Sequence, residues 1–192
     1  MPASEPYRIG VDLGGTKTEV VVLDPQDGVV FRERRKTPLV EGYHAVLNCV
    51  ADLVRDGACR VPAANSCTVG IGIPGSVDAV SGMVRNANSV CLIGRPLQAD
   101  LERLLGRRIG VRNDADCFAM AECRKGAGAG YGLVFGVIMG TGCGGGSAST
   151  AWCARDRTGS AGSGGISLST LPAPLVTAAT GGASRPRSAA PG

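Results

Sequence analysis

Two short runs of β-branched residues, separated by a glycine turn, open the chain. The runs are residues 7–13 and 17–23, and Gly14-Gly15-Thr16 lies between them. Glycines accept the positive φ angles that a tight hairpin needs, so the pattern predicts two antiparallel strands. A third alternating run at residues 29–36 follows the turn at Asp27-Gly28 and predicts a third strand. The chain is therefore predicted to open with three consecutive antiparallel strands.

Helical and strand patterns alternate over the next part of the chain. Apolar residues recur at helical spacing over residues 41–56, and Gly57 is expected to end that helix. The later patterns predict a strand at 67–73, a helix that begins with proline at 96–105, a strand at 108–111, a helix at 114–125 and a strand at 133–139. The predicted order βββαβαβα, followed by a further strand, indicates an α/β fold.

Composition and charge exclude several classes of protein. The chain has 192 residues, of which 44% are hydrophobic, and this is enough to bury a core. Most of the net charge of +4 lies after Gly146, so the front part has no basic face that predicts a nucleic-acid partner. Arg8 and Asp12 interrupt the first apolar run, and no run has the roughly 18 apolar residues of a membrane span. We therefore expect a cytoplasmic protein with neither a nucleic-acid nor a membrane partner.

Cysteine and histidine give little sign of a metal site. The eight cysteines are scattered without a C-x-x-C pair, and we expect most of them to be buried and reduced. The single histidine, His44, is expected on a helix face rather than as a metal ligand.

The composition changes after Gly146. Ala, Ser, Gly, Thr and Pro make up most of residues 147–192, and such a segment buries too little apolar surface to offset a chain entropy of roughly 1–2 kcal/mol per residue. We therefore predict that this tail is disordered, and we interpret it as an out-of-frame translation that leaves the strand at 133–139 without sheet partners. The predicted domains are 1–126, the start of a second domain at 127–146, and the tail at 147–192.

Two glycine turns could bind phosphate. In Asp12-Leu13-Gly14-Gly15-Thr16-Lys17, the glycine N–H groups can approach an anion, Thr16 and Lys17 add donors, and Asp12 can face a metal. The alternative is an ordinary glycine turn. The second turn, residues 140–145, contains Thr141 and Gly142 and fits G-x-G-x-x-G, but no helix follows it as a dinucleotide site requires. A P-loop motif does not occur in the sequence.

A third candidate lies at a strand-to-helix boundary. The carboxylate of Asp114 could take a proton from an alcohol that attacks a phosphoryl group, and the amide of Asn113 could hold a neighbouring hydroxyl. The alternative is a helix N-cap, for which Asn and Asp are favoured. Asn86, Asn88 and Ser89 form a polar loop in which sugar hydroxyls could bind.

Five stretches together resemble the ROK family of sugar kinases, and most of all its bacterial fructokinase or mannokinase branch. They are IGVDLGGTKTEVVVL, VGIGIPGSVD, GMVRNANSVCLIGRPLQADLE, RNDADCFAMAE and VFGVIMGTGCGGG, which cover residues 7–146. The resemblance implies the actin-like ATPase fold, also called ribonuclease H-like, with an incomplete second domain. It also implies a transferase that uses ATP and Mg²⁺ to phosphorylate a primary hydroxyl of a hexose, fructose or mannose before glucose or an N-acetylhexosamine.

The resemblance also assigns roles to individual residues. It implies that the first phosphate loop is formed by Gly14, Gly15, Thr16 and Lys17, and the second by Thr141 and Gly142. It implies that Asp12 lies near Mg²⁺ and that Asp114 is the general base. The implied sugar contacts are Gly75, Asn88 and Asn113. Members are often homodimers.

The chain departs from the family at several points. NSVCLIG stands where this branch has NSTWLNG, Asp116 stands where Asn is common, and the GEWGH segment with the zinc-binding cysteine loop is absent from this chain. An inactive remnant of such a kinase is therefore one alternative. A second is a sugar-responsive repressor, which would need a helix-turn-helix before Tyr7, where only six residues stand.

Overall fold

The computed structural model describes residues 6–62, 67–139, 143–149 and 175–179. The chain divides into two compact units, Met1–Asp114 and Ala115–Gly192. The division falls at the start of a helix, whereas the sequence predicted a boundary after that helix, at residue 126.

A five-stranded sheet and two helices form most of the first unit. The elements are β1 (Arg8–Leu13), β2 (Lys17–Leu23), β3 (Val29–Lys36), α1 (Tyr43–Ala58), β4 (Thr68–Ile73), β5 (Ser76–Val77), β6 (Val84–Arg85), α2 (Leu97–Leu105) and β7 (Gly110–Asn113). Short 3₁₀ helices lie at Leu39–Glu41 and Val90–Leu92. Helix α3 (Asp114–Lys125) begins at the last residue of the unit.

The sheet has the strand order β3-β2-β1-β4-β7. Strands β1, β2 and β3 are antiparallel, whereas β1, β4 and β7 are parallel, so the carboxyl ends of these last three strands share one edge. Alternation places Ile9, Val11 and Leu13 of β1 in the core, and each is at most 4% exposed. The buried face of α1 joins the same core.

Three details of the first unit differ from the sequence prediction. The hairpin of β5 and β6 was missed, since strands of two residues carry no periodic signal. Gly57 does not end α1 but lies inside it, where a Cβ would come within 3.0 Å of Val22. Strand β7 runs from Gly110 through Asn113 rather than from 108 to 111, which places Asn113 at the end of a strand.

The second unit holds a three-stranded sheet in the order β10-β8-β9. Strand β8 (Leu133–Met139) pairs with β9 (Cys143–Ser149) antiparallel and with β10 (Leu175–Ala179) parallel. The expectation that this strand has no sheet partner is therefore wrong. The tail prediction fails for 147–149 and 175–179, which are strand, and the other residues after 149 lie outside the described part.

Glycines in β9 have a packing role that the sequence did not reveal. A Cβ on Gly146 would overlap backbone atoms of Ala115 and Asp116 in α3, so only glycine allows this approach. The Ser147 N–H donates to Asp116 Oδ1 at 3.3 Å beside it. Residues 143–145 are thus strand, and the prediction that 140–145 form one glycine turn is wrong for that half.

His44 is exposed on α1, as predicted, with its ring edge against Tyr43. The expectation for the thiols is met only in part: Cys67 and Cys123 are buried, whereas Cys59 and Cys117 are exposed.

None of the helices in the described part of the chain has the length and apolar character of a membrane span.

Candidate active site

The turn between β1 and β2 presents backbone donors to solvent. The Gly14 N–H donates to the Lys17 carbonyl at 3.0 Å, and a Cβ on Gly14 would lie 2.8 Å from that oxygen, so glycine is required there. Gly15, Thr16 and Lys17 are exposed. Within the described residues, the N–H groups of Gly15 and Thr16 have no backbone acceptor. Two free amides, a hydroxyl and an ammonium can therefore face an anion from one turn.

Asp12 is the second-last residue of β1, and Leu13 separates it from the glycine turn. Its pKa is raised above the ordinary value, mainly because nearby protein atoms remove part of its hydration, and further because Asp114 and Glu19 are negatively charged. The residue is nevertheless accessible to solvent. Arg34 opposes the shift. The fold thus holds two site carboxylates, Asp12 and Asp114, within electrostatic reach of each other.

The donor set fits a shared magnesium ion. Mg²⁺ commonly takes one or two protein carboxylates and completes its octahedron with water and substrate phosphates. Among the residues described, no cluster of three or more His, Cys, Asp or Glu forms a cage made of protein ligands alone. Asp12 has a raised pKa and an accessible carboxylate, and a cation beside it would offset the charge of its neighbours.

The three residues implied for sugar binding come together at the turn after β4. Asn113 Nδ2 donates to the Gly75 carbonyl at 2.9 Å, and the Asn88 N–H donates to the Pro74 carbonyl at 3.1 Å. A Cβ on Gly75 would lie 2.9 Å from both Ala87 Cβ and the Arg85 carbonyl, so this turn admits only glycine. The side chain of Asn88 is exposed beside it.

The Asn88 loop also lies near the glycine turn. Ser89 is 2% exposed, its Oγ has no hydrogen-bond partner in the described part of the chain, and a Cβ on Gly15 would lie 4.0 Å from that oxygen. The fold therefore brings the turn implied for phosphate beside the loop implied for sugar.

Asp114 is the first residue of α3 and directly follows Asn113. The amide end of a helix is a favourable place for a negative charge. This position agrees with a base and equally with a residue of the first helical turn, so the two readings of Asp114 must be separated by measurement.

Thr141 and Gly142, which the sequence assigns to a second phosphate loop, lie outside the described residues. The sequence reasoning missed Thr18 and Thr37, two buried threonines behind the glycine turn. Thr18 lies on the inward face of β2 with the buried Val20 and Val22, and a polar residue at such a position was the available signal.

A sheet in which antiparallel β3, β2 and β1 are followed by parallel β4 and β7, with a glycine turn and carboxylates at its edge, has the architecture of the actin-like ATPases. A model of the ROK family matches residues 8–169, and the chain belongs to this family. The match continues past Gly146, through part of the segment in which the composition changes.

Individual relatives carry kinase names. An N-acetyl-D-glucosamine kinase from Citrobacter koseri is 42% identical over 137 residues, which are 71% of this chain and 44% of that protein. The chain thus spans less than half the length of this relative.

Two solved structures share the fold of this chain. The inorganic polyphosphate/ATP-glucomannokinase from Arthrobacter sp. strain KM is 34% identical with a TM-score of 0.63, covering 73% of this chain and 57% of that one. A ROK family glucokinase from Streptomyces griseus, solved with glucose and AMPPNP, is 31% identical with a TM-score of 0.64, covering 72% and 43%.

Proposed function

We propose that the described residues form the sugar-binding and first phosphate-binding part of an ATP-dependent sugar kinase, which phosphorylates a hydroxyl of a hexose or N-acetylhexosamine. The observation that carries the proposal is the arrangement around Asn113. Its side-chain amide donates to the Gly75 carbonyl at 2.9 Å. The next residue, Asp114, helps to raise the pKa of Asp12, which lies beside the glycine turn. Sugar contacts, a carboxylate and phosphate donors therefore meet at one sheet edge.

The chemistry follows from where these groups lie. Asp114 accepts the proton of the attacking hydroxyl as the hydroxyl oxygen bonds to the γ-phosphorus of ATP. The bond from that phosphorus to the bridging oxygen breaks, and its electron pair leaves with the nucleoside diphosphate. The N–H groups of Gly15 and Thr16, with Lys17, hold phosphate oxygens and limit their motion. Bound Mg²⁺ would neutralise phosphate charge next to Asp12. Thr141 and Gly142 would supply a second set of donors.

Named relatives favour an aldose or amino sugar. N-acetylglucosamine comes first, since relatives with that activity in their names reach 42% identity, and glucose and mannose follow from the two kinases of known structure. The fructose preference drawn from the branch resemblance has no support among these names. We further propose a homodimer, which the family resemblance implies, and a cytoplasmic location, which the sequence led us to expect.

Calorimetric titration of the 192-residue protein tests the proposal. We expect saturable binding of N-acetylglucosamine, weaker binding of glucose and mannose, and least for fructose. Asn88→Ala should weaken sugar binding by about tenfold, because its exposed amide lies at the sugar loop. Asn48→Ala, on the exposed face of α1, is the matched control and should bind as the wild type does. Absence of binding for all four sugars, or equal loss in both variants, contradicts the proposal.

A further inference from the structure

Thr37 follows the last residue of β3 and makes two hydrogen bonds to the glycine turn. Its side-chain hydroxyl donates to the Gly14 carbonyl at 2.8 Å, and its backbone N–H donates to the Thr16 carbonyl at 3.0 Å. Thr37 is 4% exposed, so it contacts the turn from the inner side, and its bond to Gly14 is partly buried. One buried residue therefore holds two of the carbonyls of this turn.

A second buried hydroxyl supports Thr37. Thr18 Oγ1 lies 2.9 Å from Thr37 Oγ1, and Thr18 has no exposed surface. A hydroxyl carries one proton, and that of Thr37 is used on Gly14. Thr18 must therefore donate to Thr37, which fixes the direction of both hydroxyls and runs a chain of hydrogen bonds from the sheet interior to the turn.

The hydrogen bond from Thr37 to the Gly14 carbonyl also determines the direction of the Gly15 N–H. The Gly14 carbonyl and the Gly15 N–H belong to the same planar trans peptide and point in opposite directions. Because Thr37 holds the carbonyl on the inner side, the Gly15 N–H is directed outward, where Gly15 is exposed. Glycine on both sides of this peptide permits it to rotate, and rotation would present the carbonyl oxygen to an anion instead.

We propose that Thr37 is a positioning residue that orients the Gly14–Gly15 peptide so that the Gly15 N–H donates to a phosphate oxygen of the nucleotide. The inference rests on the proposed function, since it deepens the role of the glycine turn. Thr37 itself touches no ligand in this scheme. Its role is to keep a donor, rather than an acceptor, facing the phosphate.

Titration of the 192-residue protein with inorganic triphosphate and Mg²⁺ tests the role of Thr37. Thr37→Val removes the hydroxyl at nearly constant volume, and we expect about tenfold weaker triphosphate binding with unchanged sugar binding. Thr37→Ser keeps the hydroxyl and should bind within about threefold of wild type. Thr18→Val removes the bond that supports Thr37 but leaves the bond from Thr37 to Gly14, so triphosphate binding should weaken less than in Thr37→Val.

Amide NMR of the wild type gives a readout that needs no variant. The Gly15 resonance should shift on addition of Mg²⁺ and triphosphate, and in Thr37→Val this shift should shrink. Wild-type triphosphate affinity in a folded Thr37→Val overturns the role of Thr37 but leaves the phosphate turn in place. If the wild type binds triphosphate without a shift of the Gly15 resonance, the proposed role of Thr37 is wrong, even if Thr37→Val does not fold. A wild type that binds sugar but no triphosphate refutes both the phosphate turn and Thr37.

Discussion

Asn113 and Gly75 are joined by a 2.9 Å hydrogen bond from the side-chain amide of the first to the carbonyl of the second. The bond links the last residue of β7 to the turn that follows its neighbour β4. It therefore fixes the end of β7, directly before Asp114.

Removing this amide should weaken sugar binding more than it weakens the fold. For Asn113→Ala we expect a loss of about 1 kcal/mol in the free energy of unfolding and about tenfold in sugar affinity. Gln98→Ala is the control, since Gln98 Nε2 also donates to a carbonyl, that of Ile109 at 3.1 Å, away from the site. Denaturant unfolding and calorimetry should show similar stability losses, with sugar affinity lowered only in Asn113→Ala. A sugar affinity unchanged in Asn113→Ala would remove Asn113 from the site.

Gly75→Ala should be strongly destabilising for a substitution in a turn, because Gly75 is buried. Its Cβ would lie 2.9 Å from Ala87 Cβ and from the Arg85 carbonyl, so backbone must move, at a cost of about 1–3 kcal/mol. Gly70→Ala in β4 is the control, because a Cβ there meets nothing within 4 Å. Equal unfolding midpoints for the two variants would show that the turn is loose enough to accept a side chain.

Asp12→Asn should stabilise the ligand-free protein at neutral pH. Because the pKa of Asp12 is raised in the fold, the stability from its protonated form is present below the unfolded-state value of about 3.9 and is lost as the pH rises through the folded-state value. The variant should thus have a higher Tm than wild type at pH 7 and the same Tm near pH 3. It should also gain less stability from Mg²⁺ with triphosphate. Asp52→Asn, an exposed carboxylate paired with Arg55, is the control. A Tm lowered equally by both substitutions would argue against a strained site carboxylate.

Most of the first unit could be predicted from sequence, and the reasons are physical. Strands β1 and β2 are β-branched runs beside a glycine turn, and β3 alternates. In the second unit, β8 has the bounds that its apolar run predicts. The sequence wrongly predicted that α1 ends at Gly57. A glycine that is needed for close packing against Val22 cannot be told, from sequence alone, from a glycine that ends a helix.

The candidate site was only partly predictable. The motif residues Gly14, Asn88 and Asp114 stood out by resemblance. Thr37 did not, because its role depends on a contact with Gly14 across 23 residues of chain, which no local pattern records.

The link between α1 and α2 should make stability depend on pH. The Tyr43 hydroxyl donates to Asp100 Oδ2 at 2.6 Å, and this bond, followed by Arg103, lowers the pKa of Asp100. The pKa of Tyr43 is raised, first by burial and then by Asp100. The lowered pKa of Asp100 stabilises the fold above about pH 4, and this stability is lost as the pH falls through the folded-state value.

Tyr43→Phe should therefore cost about 1–2 kcal/mol at pH 7 and less below pH 4. Tyr7→Phe is the control, since no partner of the Tyr7 hydroxyl is found in the described part of the chain, and it should stay within about 0.5 kcal/mol. Urea unfolding at several pH values measures both. A Tyr43→Phe penalty that does not change with pH would mean that the ionised Asp100 is not the acceptor that matters.

Asp114 as general base is the central claim, and the kcat of Asp114→Asn in a complete kinase tests it most directly. The chain spans 44% of the Citrobacter koseri relative, so the assay uses a chimera in which the matching segment of this chain replaces that of the relative. With N-acetylglucosamine and ATP, Asp114→Asn should lower kcat by roughly 10²–10⁴-fold and change the sugar KM much less. Asp116→Asn, which keeps an oxygen for the Ser147 N–H, should remain within a few-fold of the unsubstituted chimera. A kcat for Asp114→Asn within a few-fold of that same reference would show that Asp114 only begins a helix, and would contradict the proposed mechanism.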